Sequence, residues 1–429
     1  VFKNPTIQLM AGMLEGVVQH PVSNTPSSVS FQLDSTLTDH LLAKCQLQVN
    51  ELEGGFLPTT AFQQKSAGLK CMHITLDISG LDHSRLEAAW ETVQKKHISL
   101  RSVYVTHNGC VYQAFLRHPE SAISIQDCDN QPVKEAAASF CDRDAEPVLN
   151  GTRWWKLTRI IHKQDNRSLL IIRTTHAQFD AMTLNVMFKD FMAAFEGREL
   201  SKCELQFSDY MISRVKQNLS SPAIDFWTQF LHGSQMSQPV FTDKSSTGLP
   251  PDHVGMVFVM RPITLTPLLP VGITLASVFR AAWAFVLGKY TRQSDLVFGE
   301  FVEGRTLPLV QDIESITGCT AAETPMRITI PHYQGATVQD LLAHSQAQYA
   351  TRMPFETCEL PDIVPHCVPS WPVQTARFSH LLVLENTEAI PPIVVDGQAC
   401  AHNWAFHGRL EDVQVQLVPG KDTLHVAIL

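Results

Sequence analysis

The sequence predicts an α+β protein of two lobes built on mixed sheets, and three observations carry that reading. Its 429 residues, at roughly 100–200 per domain, make two or three folding units, most naturally two lobes of about 180–200 residues. Apolar residues are 44% of the chain and charged ones 17%, which is ample for a core and too little charge for a disordered chain. Runs with the two-residue period of strands are interleaved with runs of helical period, and hairpin turns punctuate the first half.

Residues 1–20 read as one amphipathic helix behind a turn at Asn4-Pro5, with Ile7, Met10, Leu14 and Val17 on one stripe. Residues 21–35 read as a linker, since His20 to Ser28 is a run of Pro, Ser, Thr and Asn. A helix too short to fold alone, followed by a linker, is expected to be the tail of a preceding domain.

The first lobe is expected over 36–245. Cys71 to Ile78 alternates as a strand, with Met72, Ile74, Leu76 and Ile78 on one face. A helix capped near Asp82 follows, burying Leu86, Trp90, Val93 and His97. Val103–Val105 and Cys110–Leu116 flank Asn108-Gly109, a hairpin signal. A second hairpin joins Trp154–Ile161 to Leu169–Thr174, which runs into Thr175–Ala181 and a helix to about Phe195. Short helical patterns fill Gly197 to His253.

The second lobe is expected over 246–429, after the Ser245–Pro251 loop. Gly272–Tyr290 and Val338–Arg352 read as helices. Asp295–Phe301, Met326–Ile330, Phe378–Leu384, Val413–Val418 and Leu424–Leu429 read as strands.

Composition also excludes functions. The net charge is −9 with no basic run, which argues against nucleic-acid binding. No uninterrupted apolar run reaches about 18 residues, so no membrane span is expected. The start lacks the layout of a signal peptide. Of the ten cysteines no two are three apart, and neither HExxH nor HxH occurs, so no metal site is expected. Cysteines scattered this way fit a reduced, cytoplasmic protein.

His176 is the sharpest chemical feature: it lies where a strand ends and a helix begins, with Asp180 four residues on and small Ala181 opening the helix. Pattern alone leaves two readings, a site histidine or a core histidine beside an N-capping aspartate. Asp295–Arg305 is an apolar strand leading to Gly304-Arg305, where Arg305 either stays solvated or turns inward to a carboxylate. Leu381–Asn386 is an apolar strand ending in an amide. Ser379-His380 is discounted as a dyad, because adjacent strand residues point to opposite faces.

These residues resemble a known family. Thr175–Ala181 is similar to the HHxxxDG signature of condensation domains from non-ribosomal peptide synthetases. Leu57–Gln64 resembles the family's opening segment, and Lys96–Arg101 its RHxxLR element. Asp225-Phe226-Trp227 resembles the mid-chain tryptophan segment, Asp295–Arg305 the VFGxxxxGR block, and Ile316-Thr317-Gly318 the start of the block after it. One HxxxD arises easily by chance; six elements in the family's order do not. Phe2–Ile7 is similar to the last-helix region of a carrier (thiolation) domain. Thr175 stands where the common motif has its first His, and Ala181 where it has Gly. Fungal terminal condensation-like domains, which release products by cyclisation, carry SHxxxD and a Tyr fifteen residues after the Asp. Thr175 and Phe195 occupy those two positions here.

The resemblance implies two chloramphenicol-acetyltransferase-like lobes forming a V-shaped pseudo-dimer with a central tunnel. It implies a monomeric unit of a multidomain synthetase, with no cofactor bound directly. The substrate is then a peptidyl thioester on the phosphopantetheine arm of an upstream carrier domain, released by intramolecular attack with His176 as base or anchor. Asp180 is expected to point away from substrate and pair with Arg305. Thr175 is expected to pack or to bond backbone, Phe195 to lie in the core, and Asn386 and Ala181 to face the tunnel. Intermolecular peptide-bond formation, epimerisation and a non-catalytic recruiting role stay open as rivals.

Overall fold

The computed structural model describes residues 33–428 apart from 69–70, 120–121, 129, 146–149, 238–258, 265–268, 308–311, 332–334, 372–377, 386–391, 396, 401, 406–412 and 420–422. The expected helix over 1–20, nearly all of the 21–35 linker, the Ser245–Pro251 loop and Asn386 therefore lie outside the described residues.

The strand that leads to His176 is central to the first lobe's five-stranded sheet. Its order is His402–Ala405, Met72–Asp77, Arg167–Thr174, Lys156–His162, Ser124–Asp127, antiparallel except for the last pair. Alternation puts Ile74 and Leu76 on one face of their strand with Leu170 and Ile172 from the next. Two helices cover that face. One is His83–Lys96, whose first turn is capped by the Asp82 carboxylate on Arg85 N–H; the other is Ala181–Phe195, capped in the same way by Asp180. Leu86, Trp90 and Val93 of the first helix and Leu184, Phe188 and Phe191 of the second are all buried. Each such side chain contributes roughly 1.5–3 kcal/mol by leaving water. This packing makes a rigid base for the turn between strand and helix.

The second lobe is a six-stranded sheet in the order Ala322–Thr329, Asp295–Val302, His380–Leu384, Val413–Pro419, Thr423–Ile428, Val259–Thr264. Helices Leu275–Thr291 and Val338–Arg352 share its core, through Ala281, Ala284 and Leu287 and through Leu341. Both edge strands hold a proline, Pro325 and Pro262, where a missing N–H breaks no ladder bond. The strand read as Met326–Ile330 begins four residues earlier, at Ala322, and runs through Pro325 to Thr329.

Packing does not follow chain order. Late strand His402–Ala405 joins the first-lobe sheet, with Trp404 opposite Ile74, and so covers what would otherwise be an open edge. Early helix Ser221–Phe230 sends Ala223 and Trp227 into a cluster with Val297, Ile363 and Phe378 of the second lobe.

Candidate active site

The chain leaves the first-lobe sheet at Thr174, opposite Met72, and turns through 175–178 before the helix at Ala181. Every residue of this turn is tied down. Thr175 Oγ1 donates to Ser66 O at 3.2 Å and accepts the Ala177 N–H at 3.4 Å. Ala177 O accepts from Gln63 Nε2 at 2.9 Å and from the Tyr104 hydroxyl at 3.0 Å. Gln178 Nε2 donates to Ser102 Oγ at 2.8 Å. Thr175, Ala177 and Gln178 are buried; His176 alone keeps partial solvent access.

The imidazole is held by two aromatic rings and one hydrogen bond. It stacks on Phe179, with ring centres 5.1 Å apart, and meets the edge of Phe62 at 5.2 Å. Phe62 in turn touches Phe301 of the second lobe at 5.3 Å, so the ring stands at the lobe junction. Nδ1 lies 3.0 Å from Phe179 O. A carbonyl only accepts, so Nδ1 carries the proton and Nε2 of the neutral ring carries the lone pair. Burial lowers the His176 pKa; the backbone hydrogen bonds and the Asp180 and Glu385 carboxylates act against it without reversing it. Near pH 7 the ring is therefore neutral, with Nε2 as proton acceptor.

Asp180 is fully engaged elsewhere. Oδ1 accepts from Thr183 N–H at 2.8 Å and Thr183 Oγ1 at 2.7 Å; Oδ2 accepts from Thr320 N–H at 3.1 Å and Thr320 Oγ1 at 2.7 Å. Arg305 Nη2 lies 3.0 Å from both oxygens. Burial pushes the carboxyl up, but Arg305 and the Thr183 and Thr320 donors outweigh it, and its pKa falls below the ordinary value. Arg305 turns inward, and its Nη1 donates to Ile313 O at 2.7 Å and Ile316 O at 2.9 Å. The pair thus ties the His176 turn to the second lobe. Gly304 beside it has φ +67°, and a Cβ there would come within 2.0 Å of Thr320 O, so only glycine fits.

Of the other expected residues, Ala181 is half-buried at the first turn of its helix, and Asn386 lies outside the described residues. Its neighbour Glu385 is described, and accepts from Gln416 Nε2 at 2.6 Å. Phe195 is buried in the first-lobe core with Arg85 4.2 Å above its ring. It ends a 15-residue helix, about 20 Å from the motif at 1.5 Å per residue. The RHxxLR-like element is architectural: His97 Nε2 is 2.6 Å from Asp190, and Arg101 binds the carbonyls of Gln94 and Arg117 at 3.0 and 2.7 Å. Sequence reasoning missed Phe62, Phe179, Phe301 and Glu385. All four lie inside segments that the sequence singles out, Leu57–Gln64, Thr175–Ala181, Asp295–Arg305 and Leu381–Asn386, but nothing local shows that they converge on one imidazole.

None of the ten cysteines is in a disulfide. Among the described residues no group of three or more His, Cys, Asp or Glu side chains could hold a metal ion. Nor is any described helix long and apolar enough to cross a membrane.

A model of the condensation domain matches residues 71–396. The chain belongs to the condensation-domain family. Over its whole length this condensation domain is 55% identical to the nonribosomal peptide synthetase fmqC of Aspergillus fumigatus, and spans 36% of that protein. Over 86% of its length it is 29% identical to the malformin synthetase mlfA of Aspergillus sclerotiicarbonarius, spanning 7% of it. It is thus similar to one segment of much longer fungal synthetases, whose condensation domains are acyltransferases that form peptide bonds. Among solved structures, holo T3CT aligns at a TM-score of 0.79 and 27% identity, covering 94% of this chain and 92% of that one. The starter condensation domain of rhizomide synthetase RzmA aligns at a TM-score of 0.65 and 14% identity, covering 94% and 90%, a likeness of fold alone. The two lobes accordingly form the chloramphenicol-acetyltransferase-like, V-shaped pseudo-dimer of those domains.

Proposed function

We propose that this condensation domain releases a peptidyl thioester from the phosphopantetheine arm of a carrier domain by intramolecular attack, with Nε2 of His176 receiving or orienting the nucleophile's proton. The observation that carries the proposal is the locked, neutral His176 ring at the lobe junction. Attack by an amine forms the C–N bond and a cationic nitrogen, Nε2 takes the proton, and collapse breaks the C–S bond. The proton then passes to the departing thiolate, leaving amide and free pantetheine thiol. General-base help is worth roughly 10²–10⁴-fold, and holding both ends of one chain together corresponds to effective molarities of about 10⁵–10⁸ M. In this proposal Asp180 and Arg305 hold the turn, and Thr175 fixes it through its hydroxyl. Ala181 lines the passage for the acyl chain, and the domain binds no cofactor of its own. The form of the motif, with Thr175 in place of the first His, supports the cyclising type.

Intermolecular condensation has an observation of its own. The chain is 36% of fmqC but 8% of fmqA from the same organism, so fmqC is several times shorter and has room for fewer carriers. A short carrier-bound acyl group is the kind that a second molecule would attack. The test is to load a carrier with a peptidyl thioester, add the domain with and without a free amine acceptor, and weigh the products. Cyclic product without acceptor supports the first reading. Extended product formed only with acceptor replaces it by the second, and an epimerised or untouched thioester overturns both.

A further inference from the structure

Glu359 lies in the second lobe, one residue before the helix Leu360–Cys367, and is 3% exposed. It has no direct contact with His176. Its Oε1 accepts the Phe62 N–H at 2.9 Å; its Oε2 accepts the Ala61 N–H at 2.8 Å and Arg214 Nη2 at 2.9 Å. Those two amides begin the first-lobe helix Ala61–Ala67. Backbone donors at a helix start have no partner within the helix, and here a carboxylate from the opposite lobe supplies it. A helix of seven residues is far below the length that is stable alone, so its position depends on what grips its ends.

This short helix meets the motif turn three times. The Phe62 ring packs edge-on against His176, Gln63 Nε2 holds Ala177 O, and Ser66 O receives the Thr175 hydroxyl. Phe62 is thus the residue whose backbone Glu359 grips and whose ring bounds the imidazole. Burial pushes the Glu359 carboxyl up to about 7, with Arg214 and the two amides pulling it down. That is a desolvation cost which simple packing of the junction would not require. We infer that Glu359 is a positioning residue for His176, acting across the lobe junction through Phe62.

The inference rests on His176 being the working group of the proposed function, but its test reads the ring itself and not turnover, so failure of cyclisation leaves it standing. The full 429-residue chain is labelled at histidine, and the His176 ring resonance, assigned by its loss in His176→Asn, is titrated by NMR. In Glu359→Ala the helix start loosens, Phe62 withdraws, more water reaches the imidazole, and the His176 pKa moves upward towards that of a free histidine. Loss of the Glu359 charge alone would act in the opposite sense or leave the ring unchanged, since a carboxylate raises a nearby imidazole. Phe62→Ala gives the same upward shift, and the double variant goes no further than Phe62→Ala alone. If Glu359→Ala does not fold, Glu359→Asp is read instead; it keeps the charge for Arg214 but is too short to hold both amides, and the upward shift is again expected. An unchanged or lowered His176 pKa, or additive shifts in the double variant, overturns the inference.

Discussion

Removing the Asp180 carboxylate should unfold the domain more readily than removing its cationic partner. In Asp180→Ala, Arg305 keeps only the carbonyls of Ile313 and Ile316 at 2.7 and 2.9 Å, and its charge stays buried without a counter-ion. Breaking a buried pair in this way costs about 3–5 kcal/mol. The variant also strips the helix Ala181–Phe195 of its cap on Thr183 N–H, a further loss of about 0.5–2 kcal/mol. In Arg305→Ala, by contrast, Asp180 keeps the Thr183 and Thr320 donors at 2.7–3.1 Å, and the loss should be nearer that of a charged hydrogen bond, about 1.5–3 kcal/mol. Against a total stability of about 5–15 kcal/mol the difference is measurable by urea unfolding, followed by the fluorescence of the seven tryptophans. Because the Asp180 pKa is depressed in the fold, its contribution is complete above the unfolded value of about 3.9 and fades as pH falls through the lower folded value. The double variant should lose less than the sum of the two singles. An Asp180→Ala protein with an unshifted midpoint, or one more stable than Arg305→Ala, would refute the reasoning.

Three further outcomes follow from the same geometry. The acid limb of kcat/KM should lie below the ordinary histidine value of about 6.5, because burial lowers the His176 pKa and its proton-accepting form persists to lower pH; a limb centred above that value contradicts the assignment. Gly304→Ala should destabilise the fold by more than about 3 kcal/mol, since its Cβ would overlap Thr320 O at a φ of +67°; a wild-type urea midpoint would show that the loop relaxes freely. Thr175→Val should cost about 1–2 kcal/mol by orphaning Ser66 O and Ala177 N–H, and Thr175→Ser should restore most of it. Equal midpoints for the two variants would mean that the hydroxyl does not fix the turn.

Local pattern made much of the fold legible. The alternation of Met72, Ile74 and Leu76, the Asp82 cap, and the Asn108-Gly109 turn with φ of 50° and 79° each carry their geometry within a few residues. Helix Val338–Arg352 has the bounds read from the sequence. Strand His402–Ala405 was not legible: His-Asn-Trp-Ala has no alternation, and its pairing partner lies more than 300 residues earlier. Helix Leu360–Cys367 was hidden by Pro361 and Pro365, the first harmless at a helix start and the second tolerated inside. At the site, His176 stood out because its motif is contiguous. The Asp180–Arg305 contact spans 125 residues, and it came from the family resemblance, spacing having left Arg305 undecided. The grip of Glu359 on the helix that carries Phe62 spans nearly 300 residues and has no sequence signal, since it exists only when two lobes meet.

The central claim is that the Nε2 lone pair of His176 does chemical work on a carrier-bound thioester. Its most direct test is the single-turnover rate at which a loaded carrier loses its acyl group, compared between the unaltered domain and His176→Ala. The account predicts a fall of roughly 10²–10⁴-fold in a domain that stays folded with only a modest drop in urea midpoint, because the change removes one hydrogen bond, to Phe179 O, and the packing on Phe179 and Phe62. A folded His176→Ala domain that discharges the carrier at the original rate would contradict it.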